Sequence, residues 1–215
     1  MTETTFDLKT LEPRQLSLIF QSAIAPRPVA WVSTISAAGA RNVAAFSYFN
    51  AVSTNPPLIM FSISPYRDGR TKDTLANVRE VPECVVHVAS GLQIGQVEIT
   101  GTEYPPEVDE FDVARLTPIP AQSVRPARIL EAAVAMECAV LEVHPLPIGK
   151  SNMVICQVKL IHVRTDLLDS DGAINYLKLD PIMRLARKDY GLLGKVEDGQ
   201  VLAETFRSRL ASGHD

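Results

Sequence analysis

The chain has 215 residues, 46% of them apolar and 21% charged, and carries a net charge of −4 at neutral pH. That length suits one domain with attachments rather than two equal domains, and no run approaches the roughly 18 consecutive apolar residues that a membrane-spanning helix needs. The acidic balance gives no electrostatic ground for binding nucleic acid or an anionic membrane, and residues 1–7 carry neither the basic nor the apolar stretch of a secretory signal, so the expected location is the cytoplasm.

Proline clusters at 26 and 28, 56–57, 105–106, 118 and 120, and 145 and 147 punctuate the chain. Residues 29–35, VAWVSTI, are β-branched and aromatic and predict a strand; Ala38 and Gly39 make a turn, and 43–52 returns as the second arm of a hairpin. A third strand follows at 58–64. Three strands with no helical crossover between them must pair antiparallel. Residues 71–78 predict a short helix with Thr71 or Asp73 as its N-cap. Another strand is predicted at 84–89, helical excursions at 92–101 and 109–116, and two long strands at 132–144 and 153–164. In the last of these Val154, Cys156, Val158 and Leu160 alternate with their neighbours. At least six antiparallel strands with few helices favour a small barrel, because closure removes exposed edges.

No GxSxG, Walker loop, HExxH or GxGxxG is present. The four histidines, His87, His144, His162 and His214, stand apart in sequence and predict no metal site, and Cys84, Cys138 and Cys156 lie in apolar runs that predict buried reduced thiols. Two segments carry chemistry. Residues 67–74, RDGRTKDT, gather basic side chains and hydroxyls at a helix start, which suits either a phosphate, drawn by unsatisfied N–H donors, or a solvated helix end. Residues 42–50, NVAAFSYFN, suit either a wall for a flat heterocycle or ordinary strand packing.

Taken in order, RPVAWVST at 27–34, AAFSYFNAVSTNPPLIMFSIS at 44–64, KDTLANV at 72–78, EFDVARLTPIP at 110–120 and RILEAAVAMECAV at 128–140 resemble the flavin reductase-like family of FMN-binding split barrels, in the branch that includes flavoredoxin-like proteins. The resemblance covers about residues 20–165. It implies a mainly β fold, a six-stranded antiparallel split β-barrel of Greek-key character with a few short helices, forming a homodimer with FMN near the subunit interface. It implies that Ser33 and Thr34 line the flavin and that the backbone of Ala45, Phe46 and Ser47 meets the polar edge of the ring, with the Ser47 hydroxyl adding to it. Lys72, Asp73 and Thr74 match the phosphate-proximal motif, with Ser62 and Arg70 as helpers and Asp73 better suited to capping, since two anions repel. The implied activity is oxidoreduction, passing electrons from a reduced donor, with NAD(P)H a candidate, to free flavin or another acceptor; a partner monooxygenase is a candidate user of the product. The alternatives are an electron carrier without NAD(P)H turnover and a flavin storage or sensing module. Two departures bear on this choice. Residues 149–154 read GKSNMV where many family members carry Gly-Asp-His before the last long strand, and Lys188 and Asp189 replace a Gly-Gly before Tyr190 in a tail, with Arg184 and Arg187, that resembles one closing over flavin.

Overall fold

The computed structural model describes residues 2–66 and 68–211; Arg67 of the basic segment and His214 lie outside them. In chain order the elements are α1 (Pro13–Ala23), β1 (Arg27–Pro28), β2 (Ala30–Ile35), β3 (Arg41–Phe46), β4 (Phe49–Thr54), β5 (Pro57–Ile63), α2 (Asp73–Glu80) and β6 (Glu83–Val88). There follow α3 (Ile94–Thr100), α4 (Glu110–Val113), β7 (Pro118–Ile119), β8 (Arg128–Ile129), β9 (Val134–Pro145) and β10 (Asn152–Val163). The tail holds α5 (Tyr176–Leu179), β11 (Met183–Arg184), β12 (Tyr190–Gly191) and α6 (Gly199–Ala211).

One seven-stranded sheet, in the order β3-β2-β6-β9-β10-β5-β4, forms the body. Every pairing in it is antiparallel. The mainly β split-barrel class expected above is the one observed, with one strand more than the six counted. The extra strand arises because 43–52 is not continuous: the chain bends at Ser47 and Tyr48, so β3 pairs with β2 at one edge while β4 pairs with β5 at the other. Ser62 N–H donates to Tyr48 O at 2.9 Å and fixes the bend. The two edges are therefore joined through two residues but not by a ladder, and the barrel stays split.

Both faces of β2 are buried, which erases any polar–apolar alternation along it. Ala30 and Val32 pack with Phe61, Ile63, Val86, Cys138 and Val154 inside the barrel. Trp31 turns the other way, to Val43, Val97, Phe111 and Ile129 beneath α3 and α4, and its indole N–H donates to Thr100 Oγ1 at 2.9 Å. On β10 Val154, Cys156 and Val158 are buried as alternation predicts, but Leu160 is 36% exposed. A register shift between Val158 and Leu160 turns that stretch of strand outward. The three cysteines are free and fully buried. Neither predicted residue caps α2: Lys72 holds the N-cap position without a side-chain bond, and Asp73 is the first helical residue.

His87 is fully buried between the layers. One ring nitrogen, Nδ1, lies 2.9 Å from Trp31 O, and Nε2 accepts from Ile129 N–H at 3.0 Å. That pair of partners requires the neutral ring with its proton on Nδ1, and burial holds its pKa down at about 4. The unfolded chain then binds a proton below about pH 6.5 that the folded chain refuses until about 4, so stability falls as pH drops through this window. The expected loss is about 3 kcal/mol. Urea titrations at pH 7 and pH 4 on the protein and on His87→Gln check this; a variant with the same acid sensitivity as the parent contradicts it.

Candidate functional site

The outer side of β3 borders an elongated trough. Val43 is registered opposite Ser33 of β2, yet its N–H donates at 3.0 Å to Glu110 Oε2, away from β2. Since backbone groups of a strand alternate in direction with period two, the N–H of Ala45 also points away from β2 and toward the trough. Two cavities that share Ala45, Gly101 and Thr102 make up the trough. The larger, of about 400 Å³, is walled by Val29, Phe46, Ser47 and Val97 and covered by Arg184, Lys188 and Tyr190 of the tail. The smaller, at the other end, is bounded by Lys72, Thr74, Thr100, Tyr66 and Glu110.

The tail is held over the first end by two arginines. Arg27, 5% exposed, donates to Gln21 O, Ile24 O and Leu185 O at 2.7, 2.5 and 2.8 Å, and its Nε reaches Ser47 Oγ at 3.5 Å. It thereby ties the end of α1, the tail and the β3–β4 bend together. Arg184 lies 4.5 Å over the Tyr190 ring, and both donate to Glu98 Oε1, at 2.5 and 2.7 Å. Burial pushes the Glu98 carboxyl up, but these donors outweigh it and leave it below its ordinary value. Burial and the bond to Glu98 push the Tyr190 hydroxyl up to about 12, so it remains a donor.

At the second end, Thr74 Oγ1 accepts from Asn42 Nδ2 at 3.0 Å, which leaves its own proton to donate into the trough. Lys72 Nζ stands 4.8 Å from the Tyr66 ring centroid, its pKa lowered by burial. Burial, with Asp73 as hydrogen-bond acceptor, pushes the Tyr66 hydroxyl up to about 12.

Of the ten residues expected to meet a flavin, Ala45, Phe46, Ser47, Lys72 and Thr74 line the trough. The other five do not. Ser33 Oγ is spent on Ala127 O at 2.5 Å, and Thr34 Oγ1 accepts from Asn42 and Asn77, both at 3.0 Å, so both hydroxyls are turned into the packing. Ser62 lies on β5, its N–H holding the bend. Arg70 is paired with Asp68 at 2.6 Å and is more than half exposed. Asp73 faces a separate cavity of about 220 Å³ alongside Arg41, Asn77 and Glu110. Sequence reasoning missed Arg27, Glu98, Thr102 and Glu110. Glu98 and Glu110 sit on helices too short for a clear apolar period; Arg27 carried a signal, lying between two prolines just before a strand that is buried on both faces.

A family model described as the flavin reductase like domain matches residues 22–179. The chain belongs to the flavin reductase-like family. An uncharacterized protein of Aquifex aeolicus (strain VF5) is 39% identical over 185 residues, spanning 86% of this chain and 93% of that one. Among solved structures, nitrilotriacetate monooxygenase component B from Bacillus cereus superposes with a TM-score of 0.87 at 31% identity, over 92% of this chain and 99% of that one. Flavoredoxin of Desulfovibrio vulgaris (Miyazaki F) shares the fold, with a TM-score of 0.73 at 19% identity over 84% of this chain and 93% of that one. As a flavin reductase-like protein, the chain shares the split-barrel fold of these structures, and in it the tail lies over the β3 edge. Among the described residues no helix is long and apolar enough to cross a membrane.

Proposed function

We propose that this protein is an FMN-binding oxidoreductase that passes electrons from a reduced donor, with NAD(P)H the first candidate, to free flavin or another acceptor. The observation that carries the reading is the trough itself: one end offers an ammonium and hydroxyls, the other a slot with Val29, Phe46 and Val97 in its wall and Arg184, Lys188 and Tyr190 over it, beside a strand edge with an outward N–H. That donor set fits a phosphorylated flat heterocycle, with the phosphate toward Lys72 and Thr74 and the ring toward Ala45, Phe46 and Ser47. When bound, FMN supplies the electron-accepting chemistry. The chain's own part is to orient and to stabilise. Lys72 and Thr74 anchor the anion, Val29, Val97 and Phe46 exclude water from the slot, and the Ala45 N–H opposes negative charge developing at the ring edge without reorganisation. Arg184 and Tyr190 hold the tail as the outer wall.

Component B of a monooxygenase among the similar structures supports a partner oxygenase as user of the reduced flavin. The competing reading, an FMN-bound electron carrier without NAD(P)H turnover, is supported by residues 149–154. They supply no histidine, and Lys150 and Asn152 border a different cavity from the trough, with Arg79 donating to Asn152 Oδ1 at 3.1 Å. Anaerobic mixing of the FMN-loaded protein with NADH or NADPH, followed at the flavin's visible band, separates the two. Bleaching within seconds is the expected result; an unchanged band with both donors favours the carrier. A homodimer belongs to the same proposal, supported by the exposed apolar side chains Val52, Leu141 and Ile161 on the sheet. Light scattering is expected to give twice the chain mass, and a monomer at all concentrations contradicts it.

A further inference from the structure

Among the described residues, the phosphate end of the trough is short of unpaired positive charge. Glu110, the first residue of α4, is 7% exposed and forms the wall between the trough and the 220 Å³ side cavity, bordering both. Its hydrogen-bond donor is the Val43 N–H, a neutral group. From α2 it faces Asp73, and from its own element Asp109. The β3 cation beside it, Arg41, is committed to Asp109 at 2.6 Å and to Asp112 at 3.3 Å. Tyr66, on the loop before α2, is committed to Asp73. Arg70, 5.1 Å from the centroid of the same Tyr66 ring, is committed to Asp68 at 2.6 Å. Among the described residues that leaves Lys72, which also feels Glu103 and Asp73. With Glu110 ionised, one ammonium answers three carboxylates, and a dianion brought to Lys72 and Thr74 meets net repulsion in a half-dry cleft. With Glu110 protonated, that repulsion falls and the carboxyl gains an O–H donor at the wall, while its other oxygen still accepts from Val43. Burial, partly offset by the Val43 N–H and Glu110's own N–H and reinforced by Asp73 and Asp109, raises the Glu110 pKa to about 7, so both forms are within reach near neutrality.

Resting on the FMN reading above, we propose that Glu110 is a proton-linked gate for a phosphate monoester dianion: it takes one proton from solvent when the phosphate seats beside Lys72 and Thr74 and returns it when the ligand leaves. No covalent bond is made or broken. The sign of the effect is diagnostic. A phosphate monoester loses its second proton near pH 6, so its own titration strengthens dianion binding as pH rises, whereas the Glu110 gate weakens it above about pH 7.

The test is equilibrium titration of the protein with FMN and with riboflavin, which lacks the phosphate, between pH 6.5 and 8.5. For FMN the Kd is expected to climb above pH 7 toward tenfold per pH unit, and for riboflavin to stay flat. In Glu110→Gln, which keeps an acceptor for Val43 N–H, the FMN Kd is expected to lose this slope and to be more than tenfold lower than the parent's at pH 8.5. Calorimetry of the unaltered protein at pH 8 in two buffers of different ionisation enthalpy gives a readout independent of the variant's folding: about one proton taken up per FMN and none per riboflavin. A pH-independent FMN Kd in the parent, a slope that survives in Glu110→Gln, or no proton uptake overturns the gate and leaves the FMN reading standing. Binding of neither flavin at any pH overturns both.

Discussion

Replacing Lys72 and Thr74 together by alanine is expected to weaken FMN binding by about 3 kcal/mol or more, roughly a hundredfold or greater rise in Kd. The reason is that, among the described residues, the pair supplies the ammonium at that end of the trough and a hydroxyl beside it, and hydrogen bonds to charged groups contribute about 1.5–3 kcal/mol each. Thr74→Ala also removes one acceptor of Asn42, so circular dichroism must first confirm the fold. Riboflavin supplies the control. Its affinity is expected to change little, because nothing at the ring end is altered, and an FMN Kd within threefold of the parent's contradicts the assignment of the phosphate.

The largest effect on stability is expected at Glu137, far from that chemistry. Its carboxylate is fully buried on β9 and accepts from Gln122 N–H at 2.8 Å, from the Ser123 N–H and hydroxyl at 2.6 Å each, and from His162 Nε2 at 2.7 Å. Burial pushes this carboxyl up, but the donors from Ser123, Gln122 and His162 prevail and hold it at about 2. With the folded value depressed, the stabilisation is present above the ordinary carboxyl pKa and fades as pH falls toward 2. Glu137→Ala strands these donors and is expected to cost about 3–5 kcal/mol in urea unfolding at pH 7. The 120–127 loop, which carries Ala127 onto Ser33, should also become susceptible to proteases. A cost below about 1 kcal/mol contradicts this role for Glu137.

What could be read from the sequence follows the physics of each element. The hairpin through Gly39, the long strands β9 and β10 and the existence of α2, though not its cap, announce themselves locally, through β-branched runs, turn residues and periodicity. The bend at Ser47 and Tyr48 does not, because residues 43–52 are strand-like throughout and only tertiary pairing with β2 on one side and β5 on the other breaks them. The misplacement of Ser33 and Thr34 has a related cause: with both faces of β2 buried, no polar face tells which way a hydroxyl points. Lys72 and Thr74, which border the trough, stood out as candidates from composition and from the family resemblance. Glu110 lies within the EFDVARLTPIP motif but did not stand out as a chemical group, since its character comes from burial against Val43 and from Asp73 on α2 as well as from the adjacent Asp109, and the first two are set only by tertiary packing. Glu137 did leave a trace, a single carboxylate inside the apolar run AVAMECAV.

The central claim is that one trough holds FMN with its phosphate beside Lys72 and Thr74 and its ring against the β3 edge. Equilibrium titration of flavin-free protein with FMN and with riboflavin at pH 6.5 tests it most directly. The account predicts saturation at one FMN per chain, with riboflavin binding at the same site but roughly a hundredfold more weakly, the phosphate contacts contributing about 3 kcal/mol. Equal affinity for the two flavins, or no binding of FMN, would contradict it.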